Sequence, residues 1–226
     1  RASFWLLAAA GLVTAWLVRT VVPAGAALTN AGSHHRASSD SPLTTVVAVT
    51  LLAALVVAGH FGAYTYVTRL AEQPASLLPG GMATLLLGFG IASAAGLTLA
   101  GRAGERLPTA LVASTAGIAV AVLGLSIANA YAVAGVVVVL AWGLAFGALP
   151  PLAQTRILQL AGPHHRATAG ALIPVLFNGG IAVGAALASA VVAHQGVDAL
   201  PVPAAGLIAA ATAGLAVTHR VIGRTA

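Results

Sequence analysis

The chain has 226 residues, of which 59% are hydrophobic and only 6% are charged, and its mean hydropathy is +1.00. Soluble domains carry about 25% charged residues, so a water-soluble fold is excluded and a polytopic membrane protein is predicted. The ten basic residues are single, scattered arginines, which argues against a nucleic-acid surface, and the absence of cysteine excludes disulfides and thiolate chemistry.

Seven apolar runs are long enough to cross about 30 Å of hydrocarbon, a distance that takes roughly 20 helical residues. We predict an all-α bundle whose spans lie, in chain order, near 2–22, 44–68, 78–100, 108–128, 131–154, 168–193 and 203–219. The long connection after the first span is rich in Ser, Gly and Ala and predicts a linker between two bundles. The predicted organisation is therefore a last span of an N-terminal bundle, a central linker, a six-span C-terminal bundle and a tail, at 1–22, 23–43, 44–220 and 221–226.

The arginines divide unevenly between the two sides of this predicted bundle. Alternating connections hold eight of them, and the opposite side holds only Arg1 and Arg69. The positive-inside rule then places the linker, the loops 101–107 and 155–167 and the C-terminus in the cytoplasm. We expect the membrane to be a plasma (inner) membrane. The connections near Glu72, Asn129 and Asp198 are predicted to face out.

A histidine in the second span is the first candidate for function. His60 and Tyr64 are four residues apart, so they share one face of a helix. An ionisable residue inside a span usually faces the bundle interior or a water-filled cavity. We predict that both line a substrate cavity; the alternative is a packed polar pair bonded to a neighbouring helix.

Three further side chains are predicted to line the same cavity. Asn178, in the middle of the sixth run, is costly to bury and needs partners. Trp142 and Phe146 lie one turn apart in the fifth run and form an aromatic wall for an apolar substrate, although lipid or helix contact explains them equally well. The glycine pairs Gly143/Gly147 and Gly180/Gly184 have the spacing of closely packed membrane helices.

Three stretches resemble the drug–proton antiporter and sugar-efflux branch of the major facilitator superfamily. The sequence GHFGAYTYV at 59–67 resembles span seven of that fold, and AGRAGER at 100–106 is similar to the loop between spans eight and nine. Residues 142–189, with QTR at 154–156 and FNGGIAVGA at 177–185, resemble spans ten and eleven. The resemblance covers the whole chain as spans six to twelve, so we expect the chain to be part of a longer polypeptide that also holds spans one to five.

The resemblance implies a secondary active transporter, not an enzyme, that exports a sugar-like or drug-like molecule by alternating access, with protons as the coupling ion and no cofactor. It implies a gating loop at Arg102, Glu105 and Arg106, for which simple positive-inside anchoring is the alternative, and a gating role for Gln154 and Arg156 at the cytoplasmic end of span ten. The implied partners are the small-molecule substrate, protons, the lipid bilayer and the N-terminal bundle of the same chain, with no nucleic acid. Since no Asp or Glu lies within a predicted span, either His60 takes part in proton coupling or the coupling carboxylate lies in the preceding half, and we expect the second.

Three alternatives remain at this point. One is an uncoupled facilitator or importer of the same fold. Another is a membrane enzyme that uses His60 and the HHR pairs at 34–36 and 164–166 as a metal centre, which the shortage of acidic residues disfavours. The third is a seven-span receptor or scaffold that transports nothing.

Overall fold

The computed structural model describes residues 42–225, apart from the side chains of Glu105 and of residues 223–225. The predicted span 2–22 and nearly all of the predicted linker 23–43 therefore lie outside the described residues. The described part is all-helical, which confirms the predicted fold class. Its α-helices are α1 (Leu43–Thr65), α2 (Val67–Leu70), α3 (Glu72–Ser76), α4 (Met82–Ala100), α5 (Leu107–Gly124), α6 (Ala132–Gln195) and α7 (Pro201–Thr225). Short 3-10 segments lie at Gly104–Arg106, Leu125–Ile127 and Val197–Ala199.

Helix α6 contains two of the predicted spans. Its 64 residues would extend about 96 Å as one straight helix, three times the thickness of the hydrocarbon core. The backbone leaves the helical region at Gly162, with φ 55° and ψ −169°, and Pro163 follows. The kink divides α6 into two arms, residues 132–161 and 163–195, and each arm is long enough to span.

The predicted loop 155–167 is therefore wrong in its extent. Only Gly162 departs from helical geometry, and the polar residues on either side of it stay helical. The sequence suggested a loop because these residues are polar, but a helix at a membrane surface tolerates polar side chains as well as a loop does. The turn itself needs a single left-handed residue, and glycine supplies it.

The two ends of the bundle are chemically distinct. At one end, which we call the Asn129 end, the Asn129 side chain accepts a hydrogen bond from the Gln73 backbone N–H and donates one to the Arg69 carbonyl, at 3.1 and 3.0 Å. At the other, the Arg156 end, Arg156 lines a small cavity with Pro108 and His219. The segment with Arg102 and Arg106 leads into Pro108, so it lies at the Arg156 end as well.

Two parallel helix pairs share one packing device. A Cβ added to Gly180 would lie 2.6 Å from the Ala54 carbonyl oxygen, and one on Gly184 would collide with the Ala58 carbonyl. We call this contact between α1 and arm 163–195 the Gly184 seam. Both partners advance by four residues in the same direction, so the two helices run parallel.

The second seam joins α4 to arm 132–161. A Cβ on Gly143 would lie 2.5 Å from the Phe89 carbonyl oxygen, and one on Gly147 would collide with the Ser93 carbonyl. This contact, the Gly147 seam, also runs parallel with a four-residue repeat. Close backbone approach at small residues is how membrane helices associate without a hydrophobic driving force. The predicted packing role of both glycine pairs is confirmed.

Candidate functional site: an aromatic cluster between three helices

Six rings meet where α1, α4 and arm 132–161 come together. Four of the five predicted cavity residues are among them, namely His60, Tyr64, Trp142 and Phe146. Phe61 and Phe89, which sequence reasoning missed, complete the set. We call these six residues the aromatic cluster. Phe89 is the only aromatic residue in α4, but a lone ring is equally typical of a lipid-facing side chain, so the sequence alone did not identify it.

His60 lies at the centre of the cluster. Its ring stacks on that of Phe146, with centroids 3.4 Å apart and planes 3° from parallel. The Trp142 ring meets it edge-on at 5.1 Å, and the Tyr64 ring lies nearly parallel at 5.7 Å, one helical turn along α1. Edge-to-face aromatic pairs such as Trp142 with His60 contribute about 0.5–1.5 kcal/mol each beyond simple burial. The cluster therefore fixes the relative positions of α1 and arm 132–161.

The cluster has a buried base and an accessible rim. Trp142 is fully buried, and His60 and Phe89 retain only 1% and 7% of their surface. Phe61, Tyr64 and Phe146 are half-buried and form the rim. Because the base is enclosed in this conformation, direct access from outside the bundle is to the three rim rings.

Two buried nitrogen atoms in the cluster lack hydrogen-bond partners among the residues that the structure describes. They are His60 Nδ1 and Trp142 Nε1. A buried donor or acceptor without a partner costs about 1–3 kcal/mol. The indole nitrogen is a donor only, so it requires an acceptor. This part of the core therefore gives up stability to keep polar groups, which is typical of a functional site.

The Gly147 seam holds the base of the cluster in place. Gly143 directly follows Trp142, and its missing side chain lets the backbone of α4 approach at Phe89. The Ser93 hydroxyl lies 3.0 Å from the Gly143 carbonyl oxygen and 2.9 Å from the Phe89 carbonyl oxygen, so these two acceptors share its single proton. The Phe89 and Trp142 rings consequently meet edge to face, with centroids 5.4 Å apart.

The cluster lies well inside the predicted membrane-spanning region. Trp142 comes ten residues after the first residue of α6, and Phe89 comes seven residues after the first residue of α4. At 1.5 Å per residue, these side chains lie about 10–15 Å from the Asn129 end. In a hydrocarbon core of about 30 Å, that depth approaches the midplane.

Asn178, the fifth predicted cavity residue, lies on the other arm of α6, and its observed hydrogen bond is not to the cluster. Its side chain is exposed on arm 163–195, and its Nδ2 donates to the Pro174 carbonyl one turn earlier at 2.8 Å. It points away from the Gly184 seam, since it lies 200° from Gly180 around the helix at 100° per residue. An exposed amide at mid-span faces either lipid or another part of the protein.

The predicted gating residues lie together at the Arg156 end. Arg102 and Arg106 are exposed, and Gly104 between them has φ +49°, the left-handed geometry that the turn requires. Gln154 is exposed, whereas Arg156 is half-buried beside a cavity of about 10 Å³, room for about one water molecule. The Glu105 side chain lies outside the described residues. Within residues 42–225, no group of three or more His, Asp or Glu side chains is arranged to hold a metal ion.

Comparison with known proteins identifies relatives of one kind, although no protein-family model matches the chain. A protein of Streptomyces lividans named chloramphenicol resistance protein is 31% identical over the whole chain and 58% of its own length. A probable sugar efflux transporter of Mannheimia succiniciproducens is 28% identical over 74% of the chain and 42% of its own length. An uncharacterized MFS-type transporter of Bacillus subtilis is 32% identical over 61% of the chain and 36% of its own length.

The chain thus spans about half the length of the curated relatives it matches. All of these relatives carry the names of transporters or of a drug-resistance protein rather than of enzymes. Together with the all-helical membrane bundle, these matches show that the chain belongs to the major facilitator superfamily of membrane transporters.

Proposed function

We propose that this chain supplies the C-terminal bundle of a secondary carrier that exports a small molecule by alternating access. In this proposal residues 1–22 are the last span of an N-terminal bundle, 23–43 a cytoplasmic linker and 44–220 the six-span bundle, in a plasma (inner) membrane. The relatives named for sugar efflux and for chloramphenicol resistance support export. The chain's coverage of about half their length supports its assignment to one of the two bundles.

The aromatic cluster is the observation that carries the proposal. It joins three helices near the midplane, where carriers of this architecture bind their substrates. It combines a buried base, an accessible rim and two unpartnered nitrogen atoms, which is the composition of a mostly apolar site with a few polar groups. Asn178 extends the proposed cavity on arm 163–195, where its exposed amide would meet the other half of the carrier.

Proton coupling is proposed to depend on a group outside the described helices. Glu72, Glu105 and Asp198 all lie in short connecting segments, and the long helices of the described region contain no acidic residue. We place the coupling carboxylate in the N-terminal half. Gating at the cytoplasmic face is assigned to Arg102, Glu105 and Arg106, and to Gln154 with Arg156.

The test is export by the complete polypeptide that contains these residues, measured in inverted membrane vesicles. Chloramphenicol and a neutral sugar serve as the first probes, because the names of the relatives point to these two classes. We expect uptake of at least one probe into vesicles whose lumen is more acidic than the medium. This uptake should be lost when the pH gradient is collapsed. Uptake that ignores the gradient would indicate an uncoupled facilitator, and no uptake by correctly inserted protein would contradict the proposal.

A further inference from the structure

The chemistry of the aromatic cluster restricts what it can bind. Only three of its six side chains, those of His60, Tyr64 and Trp142, contain a polar atom, and none has a carboxylate or guanidinium group. A sugar presents several hydroxyl groups, each of which loses hydrogen bonds to water on binding and needs replacements. The cluster cannot supply that number, whereas it offers a large area of aromatic surface.

The rim provides surfaces on which a flat ring can stack. One face of Phe146 is covered by His60, yet the Phe146 side chain remains half-buried rather than enclosed. Tyr64 and Phe61 are half-buried beside it, with the Phe61 ring perpendicular to that of Phe146 at 5.8 Å. A planar ligand in this position meets one ring face and one ring edge, the two arrangements that aromatic pairs prefer.

The base provides a donor that lacks an acceptor. Trp142 Nε1 is buried and has no partner among the described residues, and His60 Nδ1 is in the same condition beside it. A ligand with a nitro, carbonyl or ring-nitrogen acceptor would satisfy the indole N–H in a conformation of the carrier that opens the base of the cluster. Since the aromatic cluster has no carboxylate or guanidinium group, it offers a charged ligand no counter-ion in a region of low dielectric.

We propose that the aromatic cluster binds a neutral, planar aromatic molecule that carries a hydrogen-bond acceptor, and that it does not recognise a sugar. This inference rests on the proposed function in one respect, since it assigns the substrate class of the same carrier site. It differs from that proposal in its readout, because binding can be measured without transport.

A matched pair of ligands tests the inference directly. p-Nitrophenyl β-galactoside and methyl β-galactoside share their sugar, and only the first carries an aromatic ring with an acceptor. Equilibrium dialysis against the complete protein in lipid nanodiscs measures binding of the nitrophenyl compound. We expect it to bind and to be displaced by chloramphenicol, and we expect methyl β-galactoside to leave it in place. Displacement by the methyl compound at similar concentration, or no binding of the nitrophenyl compound, overturns the inference.

A matched pair of variants locates the binding. Phe146→Leu keeps an apolar side chain but removes the stacking ring, so nitrophenyl affinity is expected to fall about two- to tenfold. Tyr131→Leu removes an aromatic ring that is 65% exposed at the Asn129 end, outside the cluster, and is expected to leave affinity unchanged. Equal affinities in the two variants would overturn the assignment to the cluster.

The outcomes for binding and for export are separable. Binding of the nitrophenyl compound without its export in vesicles would contradict the proposed function and leave the ligand class standing. Export of methyl β-galactoside, together with its displacement of the nitrophenyl compound, would leave the carrier function standing and overturn the ligand class.

Discussion

The Gly184 seam and the Gly147 seam use the same packing device beside very different surroundings. In both, two glycines four residues apart meet two backbone carbonyls of a parallel helix. In the Gly184 seam the atoms nearest the glycines are the backbone of Ala54 and Ala58 and a methyl group of Val57, whereas the Gly147 seam is bordered by Phe89, Trp142 and Phe146. The comparison teaches that the glycines determine how closely the helices approach, and that the neighbouring rings determine whether the contact also forms a site.

Helix α1 connects the two regions. One of its faces carries Ala54 and Ala58 in the Gly184 seam, and another carries His60 and Tyr64 in the aromatic cluster. The Gly184 seam therefore positions α1, and α1 in turn presents its rings to Trp142 and Phe146. Breaking either seam should destabilise the bundle, but only the Gly147 seam lies against the cluster directly.

The largest effect on the stability of the bundle is expected from adding a methyl group to a glycine of either seam. Gly147→Ala and Gly184→Ala each place a methyl group against a backbone carbonyl, and overpacking of this kind costs about 1–3 kcal/mol. Thermal unfolding in detergent should show a lower midpoint for both variants. Gly90→Ala and Gly179→Ala are the controls, since nothing lies within 4 Å of a Cβ at either position. If the controls lose as much stability as the seam variants, the close approach is not what stabilises the pairs.

Replacement of one phenylalanine on each arm of α6 distinguishes a role in the aromatic cluster from a general role in packing. Phe146→Leu removes the ring that stacks on His60, so export is expected to fall about tenfold. Phe177→Leu changes a half-buried ring on arm 163–195, for which no contact with the cluster is observed, and is expected to reduce export less than twofold. Initial rates in vesicles, normalised to the amount of inserted protein, measure the difference. An equal loss in both variants would mean that the cluster has no special role.

Substitution of His60 tests whether its nitrogen atoms serve binding rather than folding. His60→Phe keeps the stacking partner of Phe146 and removes the unpartnered Nδ1, so the unfolding midpoint should stay level or rise. Ligand affinity should fall several-fold, because a polar contact is lost. His60→Ala is the comparison, and it should lower the midpoint, since it leaves a cavity. A midpoint for His60→Phe as low as that for His60→Ala would show that the imidazole has a structural hydrogen bond.

The smallest effect on stability is expected at Asn178. Its amide donates to the Pro174 carbonyl within the same helix, and hydrogen bonds in membrane helices average about 0.6 kcal/mol. Asn178→Ala should therefore change the unfolding midpoint very little. Export should nevertheless fall, by less than in Phe146→Leu, because the exposed amide belongs to the proposed cavity. Unchanged export in Asn178→Ala would remove this residue from the site.

The positions of the membrane spans, and the residue pair that each of two helices contributes to the cluster, could be predicted from the sequence. Hydropathy predicted six helices in the described region, and four-residue spacing paired His60 with Tyr64 and Trp142 with Phe146. Spacing along one helix cannot show that two such pairs face each other, because that depends on the rotation and depth of both helices. Close approach at the glycines determines the rotation, and it becomes visible only in three dimensions.

Other features had no adequate signal in the sequence. Phe89 is a lone ring among small and aliphatic residues, which is also the pattern of a lipid-facing side chain. The unpartnered nitrogen atoms depend on what surrounds them in the folded bundle. The continuation of α6 through residues 155–161, on the N-terminal side of the kink at Gly162, was missed because polar side chains among them were taken as evidence for a loop.

Photoaffinity labelling of the complete protein tests the central claim most directly. An azidophenyl β-galactoside places a light-activated aromatic ring in the proposed substrate site, and peptide mapping by mass spectrometry identifies the labelled residues. We expect label within residues 60–64 and 142–146, and its loss in the presence of chloramphenicol. Label confined to other parts of the protein, such as the open cleft beside Arg69 and Glu72, would contradict the assignment of the aromatic cluster as the substrate site.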